Sequence, residues 1–236
     1  MEQAVETFER EGLKCTLFQD DSGCGDPRDA SNLAVLYCWH PDYILGDEQF
    51  RDAEGRGSVN GRRNPNGGKW TPNPSNCHDT IEDAFSYIKR DCKATVVIPL
   101  FLYDHSGITM STGAAVDKLS RGDVESRGRN PFDGAGWDTS WVGFAYSTEA
   151  KRKELGVKRS REEIEKQVRV EVEEYDKFLR GDVYGYAVTD SYGNHLDSCW
   201  GFLGYDYAIE EAKRALDWEV EAIIGRELNR DCRVTA

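Results

Sequence analysis

The longest apolar run in the chain, Ala94 to Tyr103 (ATVVIPLFLY), holds nine apolar or aromatic residues in ten. With Val96, Val97 and Ile98 β-branched, it predicts a strand buried on both faces or central in its sheet. Pro99 cannot donate to a ladder, so a bulge or an edge is expected there. The chain turns at Asp104, His105, Ser106 and Gly107, and Ile108 to Thr112 predicts a short return strand. Asn32 to Trp39 (NLAVLYCW) and Trp137 to Ser147 (WDTSWVGFAYS) read as two further strands, and Asp182 to Asp190 with His195 to Phe202 as a hairpin. Cys15 to Phe18 opens an earlier strand, whereas Met1 to Lys14 is expected as a short helix or a frayed arm.

The helical period appears three times. Ile81, Ala84, Phe85 and Ile88 mark a helix over Thr80 to Lys93. Ser160 followed by Glu163 is a capping box, ahead of Ile164, Val168, Val172, Tyr175 and Leu179, with Gly181 past the end. Thr148 caps a shorter turn. The last helix is expected from an Asp206 cap, with Ile209, Ala212, Leu216, Val220 and Ile223 as its stripe. Glu171, Glu173, Glu174 and Asp176 read as a solvated face. These elements give an α+β fold, a mainly antiparallel sheet with two long helices packed on it. A single domain over 1–236 is expected, with loop insertions near 51–76 and 116–130, both rich in Gly and Arg.

Charge changes the picture of the surface. The 236 residues carry 43 acidic against 30 basic side chains, net −13, which excludes direct binding to a nucleic-acid backbone. The excess is uneven: Met1 to Phe50 has 11 acids and 3 bases, and Gly181 to Ala236 has 11 and 5. No run of about 18 apolar residues occurs, so a cytoplasmic protein without a membrane segment is expected. Seven cysteines without a C-x-x-C pair indicate reduced thiols rather than a disulfide framework or a zinc ribbon.

Candidate chemistry lies at the strand ends. His40 with Asp42, Asp104 with His105, and His195 with Asp197 are imidazole and carboxylate pairs, and Asp138 opens another strand. Residues i and i+2 of a strand share a face, so His195 and Asp197 are expected to point the same way. The run Asp104-His105-Ser106 is not a triad, because neighbours in an extended chain face opposite ways. Cys199 lies four residues from His195, too far for a thiol and its base to bond, and no phosphate-binding glycine motif is present. No catalytic set, metal site or cofactor is expected. The candidate binding residues are His40, Asp42, Tyr103, Asp104, His105, Ser106, Asp138, Trp141, His195, Asp197 and Trp200, the aromatics reading either as core or as pocket walls.

Several stretches carry a resemblance. They are Trp39 with Leu45 to Gln49 (LGDEQ), Pro99 to Thr112 (PLFLYDHSGITMST) and Trp137 to Phe144 (WDTSWVGF), then Glu171 to Val188 (EVEEYDKFLRGDVYGYAV) and Asp197 to Ala208 (DSCWGFLGYDYA). In them the chain resembles a family of accessory proteins encoded by bacteriophages and other mobile elements. The resemblance implies that setting and assigns no catalytic residue; Arg51 to Asn76 and Val116 to Asn130 depart from the pattern as inserts. The expected function is binding and inhibition of a host defence or regulatory protein, through an acidic surface that mimics nucleic acid toward a nucleic-acid-binding partner. The alternative is a small-molecule or metal-dependent site that sequesters or hydrolyses a nucleotide-type signal.

Overall fold

The computed structural model describes residues 4–20, 25–40, 42–49, 80–120, 130–132 and 138–234, with side chains as far as residue 226. In chain order come β1 (Ala4–Arg10), β2 (Leu13–Gln19), a 3-10 turn (Pro27–Asp29), β3 (Val35–Cys38), β4 (Glu48–Gln49), α1 (Ile81–Arg90), β5 (Ala94–Asp104) and β6 (Ile108–Thr112). They are followed by β7 (Thr139–Thr148), α2 (Glu149–Glu154), α3 (Arg161–Leu179), β8 (Val183–Thr189), β9 (His195–Leu203) and α4 (Tyr205–Val234). The fold class is α+β, with two sheets rather than one. Contacts divide the chain into two units, one of residues Met1–Asp26 with Lys177–Ala236 and one of Pro27–Asp176. The insertion expected at 51–76 lies outside the described residues, as do 121–129 of the second and Trp137.

The first unit is an antiparallel sheet of order β1-β2-β8-β9. Where Met1 to Lys14 was expected as helix or arm, the chain forms a hairpin. Its turn residues Glu11 and Gly12 have φ of 48° and 76°, the paired positive values that match a two-residue turn to strand twist. β1 carries Glu6, Glu9 and Arg10, which is how edge strands resist further pairing and why its pattern looks too polar for a strand. α4 covers one face: Ala208, Ala212, Leu216 and Val220 pack on Leu13, Cys15, Leu17, Tyr186 and Val188. It starts at Tyr205, with Asp206 in the first turn rather than at the cap.

The second unit is a sheet of order β4-β3-β7-β5-β6, antiparallel except for the short β4 beside β3. β5 is buried on both faces, but β7 is the central strand. β7 approaches β3 closely because residue 143 is glycine; a Cβ there would fall 2.4 Å from the Tyr37 carbonyl oxygen. Pro99 accepts from the Gly113 N–H (2.9 Å). Its donorless nitrogen therefore faces the side where β6 has already ended. Next to it, Leu100 pairs with Gly143 and Phe101 with Trp141, so Val142 is an extra residue. That bulge turns Trp141 onto the face of Phe144. There Tyr37, Trp39, Val97, Phe101, Trp141, Phe144 and Tyr146 pack under Ala84, Phe85 and Ile88 of α1. Val116, at the start of the second expected insertion, is buried in the same cluster.

α3 covers the other face. Gly46 passes over Leu36 and Cys38 and donates to the Tyr175 hydroxyl (2.9 Å), and Ile164, Val168 and Val172 are buried beside it. The capping box forms as expected: Ser160 N–H reaches the Glu163 carboxylate (2.8 Å) and Glu163 N–H the Ser160 hydroxyl (3.2 Å). Gly181, at φ 67°, closes the C-terminus, with Asp182 N–H on the Lys177 carbonyl (2.8 Å). The face expected to be wholly solvated is not. Glu171 is only 6% exposed and accepts from the backbone of Leu33 (3.0 Å) and Ala34 (2.8 Å). Asp176 accepts from Met110 N–H (2.7 Å), while Glu173 and Glu174 face solvent. Arg28 stands 3.8 Å from Glu171 and forks onto Asp47 at 3.0 and 2.7 Å.

Candidate functional site

Seven of the expected site residues gather at one end of the five-stranded sheet. β3 delivers His40 and the β5–β6 hairpin delivers Tyr103, Asp104, His105 and Ser106, while Asp42 follows β3 and Asp138 precedes β7. His40 Nδ1 accepts from the backbone N–H of Asp42 (3.1 Å) and Tyr43 (3.2 Å). Two donors on Nδ1 place the hydrogen of the neutral ring on Nε2. Burial holds this imidazole below its ordinary value, against Asp42 and Asp104, which pull the other way.

Tyr43, absent from the sequence-derived set, links the halves of this group. Its ring stacks on His40 with centroids 4.7 Å apart, and its hydroxyl donates to the Asp104 carboxylate at 3.1 Å. Burial and that hydrogen bond push its phenol up. The signal was present in the sequence His40-Pro41-Asp42-Tyr43, since a proline just past a strand favours a turn that can bring an aromatic back toward the strand end. Beside it, His105 Nδ1 lies 3.3 Å from Asp138 Oδ2, both exposed. Tyr103 stands between the His105 ring (6.2 Å) and the Phe132 ring (5.8 Å). Ser106 occupies the exposed hairpin tip at φ 63°.

An imidazole held by a carboxylate is the base half of a nucleophilic device. Among the described residues no hydroxyl or thiol is seen hydrogen-bonded to His105. Nor, among those residues, do three or more His, Cys, Asp or Glu side chains stand close enough to hold a metal ion.

The remaining expected residues lie elsewhere. Trp141 is core, its indole donating to the Gly143 carbonyl (3.0 Å). His195, Asp197 and Trp200 belong to β9 of the other unit. There the strand is irregular: Asp197 pairs with Val188 and His195 with Thr189, leaving Leu196 as a bulge. His195 and Asp197 therefore sit opposite consecutive residues of β8 and point to opposite faces, contrary to the expectation for a regular strand. Asp197 instead accepts from the Tyr186 hydroxyl (3.0 Å), and burial followed by that bond pushes the phenol up.

Comparison with protein families, with curated proteins and with solved structures returned no match. No helix of the described chain is long and apolar enough to cross a membrane.

Proposed function

We propose that this chain is a non-catalytic accessory protein of the phage or mobile-element kind, which binds and inhibits a host defence or regulatory protein in the bacterial cytoplasm. The observation that supports this is the placing of charge. Residues 1–26 and 177–236, the first unit, hold 18 acidic against 9 basic residues, so −9 of the net −13 lies there. Such a surface repels nucleic acid and steers toward basic protein surfaces, including grooves that otherwise hold nucleic acid.

Affinity capture from host extract at about 0.1 M and about 1 M salt tests it, because the Debye length falls from about 10 to about 3 Å. The expected result is one partner with a basic surface, held at low salt, released at high salt, and weakened by Glu9→Gln, Glu11→Gln, Glu210→Gln and Glu221→Gln together. No partner at low salt, or one held equally by the neutralised chain, rejects the reading.

A second reading, a site for a nucleotide-type small molecule, draws on the meeting of His40, Tyr43, Asp104, His105 and Asp138. Mono- and dinucleotides titrated into isotope-labelled protein should then shift the His40 and His105 ring signals; rings that stay unmoved reject it.

A further inference from the structure

α4 is longer than the sheet beneath it needs. Its 30 residues span about 45 Å at 1.5 Å per residue. β8 and β9, of 7 and 9 residues, span about 23 and 30 Å. The side chains that pack on the sheet run from Tyr205 to Ile223. The opposite side of the same stretch carries Tyr207 and Trp218, which are 54% and 66% exposed. They are eleven residues apart, three turns, so both start from one line about 16 Å long on the side opposite Ala208, Ala212, Leu216 and Val220. The Tyr207 ring, however, turns back to meet the Phe202 ring of β9 edge-on at 5.8 Å, which leaves Trp218 as the more exposed, outward-projecting ring.

Acids outnumber bases along that line. Asp206, Glu210, Glu211, Asp217 and Glu221 lie on it or beside it. Asp217 pairs with Arg10 and Glu211 with Arg214, so Asp206, Glu210 and Glu221 supply the negative charge offered to a partner. The cations of the described helix are already engaged: Lys213 Nζ sits 5.0 Å over the Phe8 ring, Arg214 bonds Glu211, and Arg226 lies 3.9 Å from Glu219. A largely exposed tryptophan is the side chain that most often anchors a protein interface, and a rim of one charge sign selects the opposite sign. A second copy of this chain would meet the same acids with acids. We infer that the outward face of α4, anchored by Trp218, is the docking surface for a partner protein with a basic groove that receives this indole.

This rests on the protein-binding reading, and the test separates the two. The photo-crosslinking residue p-benzoylphenylalanine is placed at position 218, or at position 192 on the exposed β8–β9 turn, in the full chain produced in bacterial cells. The expected result is a crosslink from 218 and none from 192, to one protein with a basic surface. Its purified complex should bind Trp218→Ala at least about 30-fold more weakly than the parent, the cost of removing an anchor. Glu210→Gln with Glu221→Gln should flatten its salt dependence. Crosslinks from 192 alone, or a purified partner indifferent to Trp218→Ala, overturn the face and leave the protein-binding reading standing. A crosslink from 218 to a second copy or to an acidic protein overturns the proposal. No crosslink from either position overturns both.

Discussion

Trp200 lies flat across Gly185 on the neighbouring strand: a Cβ at position 185 would fall 2.1 Å from Trp200 Cε3. The indole also stacks on Phe18, with centroids 5.8 Å apart. A glycine is a weak strand residue, and an aromatic laid over it restores the buried area it lacks. Gly185→Ala should therefore cost about 1–3 kcal/mol, the range for overpacking, and alter tryptophan fluorescence as the ring is lifted. Urea denaturation checks it, and adding Trp200→Ala should recover part of the loss from Gly185→Ala. A neutral Gly185→Ala would mean that the ring does not rest on this glycine.

Glu171 and Glu173 are two residues apart on α3 and should behave oppositely. Removing the Glu171 carboxylate leaves the Leu33 and Ala34 donors without their acceptor and takes a negative charge from beside Arg28. Glu171→Ala should cost about 3–5 kcal/mol, as for other broken buried charge pairs. Glu173→Ala should stay within about 0.5 kcal/mol of the parent. Chemical denaturation of both variants measures the contrast, and similar losses would contradict the burial difference.

The same two glutamates show where the sequence could be read and where it could not. Helical period, capping box and C-terminal glycine are local signals, and they placed α3 to within a residue or two. The inward turn of Glu171 depends on backbone donors at Leu33 and Ala34, 138 and 137 residues away, a need that no residue-by-residue propensity reveals. β1 was missed for a related reason, since an edge strand suppresses the apolar alternation by which strands are recognised. At the candidate site, the sequence places His40, Asp104, His105, Asp138, His195 and Asp197 alike at strand ends, but which of those strands share a sheet is set by long-range pairing that the local pattern does not carry. His195 and Asp197 fall in the other sheet, and they face opposite ways because of one bulge, which leaves little mark in composition.

His40 gives a pH dependence with a definite sign. An unfolded histidine titrates near about 6.5, and burial lowers the folded value below that. The contribution of the neutral ring is complete above the unfolded value and is lost as pH falls through the folded one. Stability should decline as pH falls below about 6.5, and less so in His40→Asn, which keeps an acceptor for the Asp42 and Tyr43 N–H groups but gains no proton. Denaturation midpoints across that range test it; equal slopes in both proteins would assign the decline to other groups.

Thiol chemistry should sort the four described cysteines. Cys199 is exposed, while Cys15 and Cys38 are buried. Burial, aided by Asp197, pushes the Cys15 thiol up to about 11, and burial raises Cys38 as well. Reactivity follows thiolate fraction and access. Iodoacetamide applied to the native protein should modify Cys199 first and reach Cys15 and Cys38 only on unfolding, as peptide mass spectrometry will show. Early modification of Cys15 would contradict its place under α4.

β2 and β8 are partners in one sheet although 150 residues, Pro27 to Asp176, leave the first unit between them. Gln19 pairs with Tyr184, and Asp20 N–H bonds the Val183 carbonyl at 2.8 Å, so the chain departs and returns at adjacent strands. That is the geometry of a cassette. The register of the four-stranded portion is fixed by its own pairings, β1 with β2, β2 with β8 and β8 with β9, and none of these uses a strand of the 150 residues between.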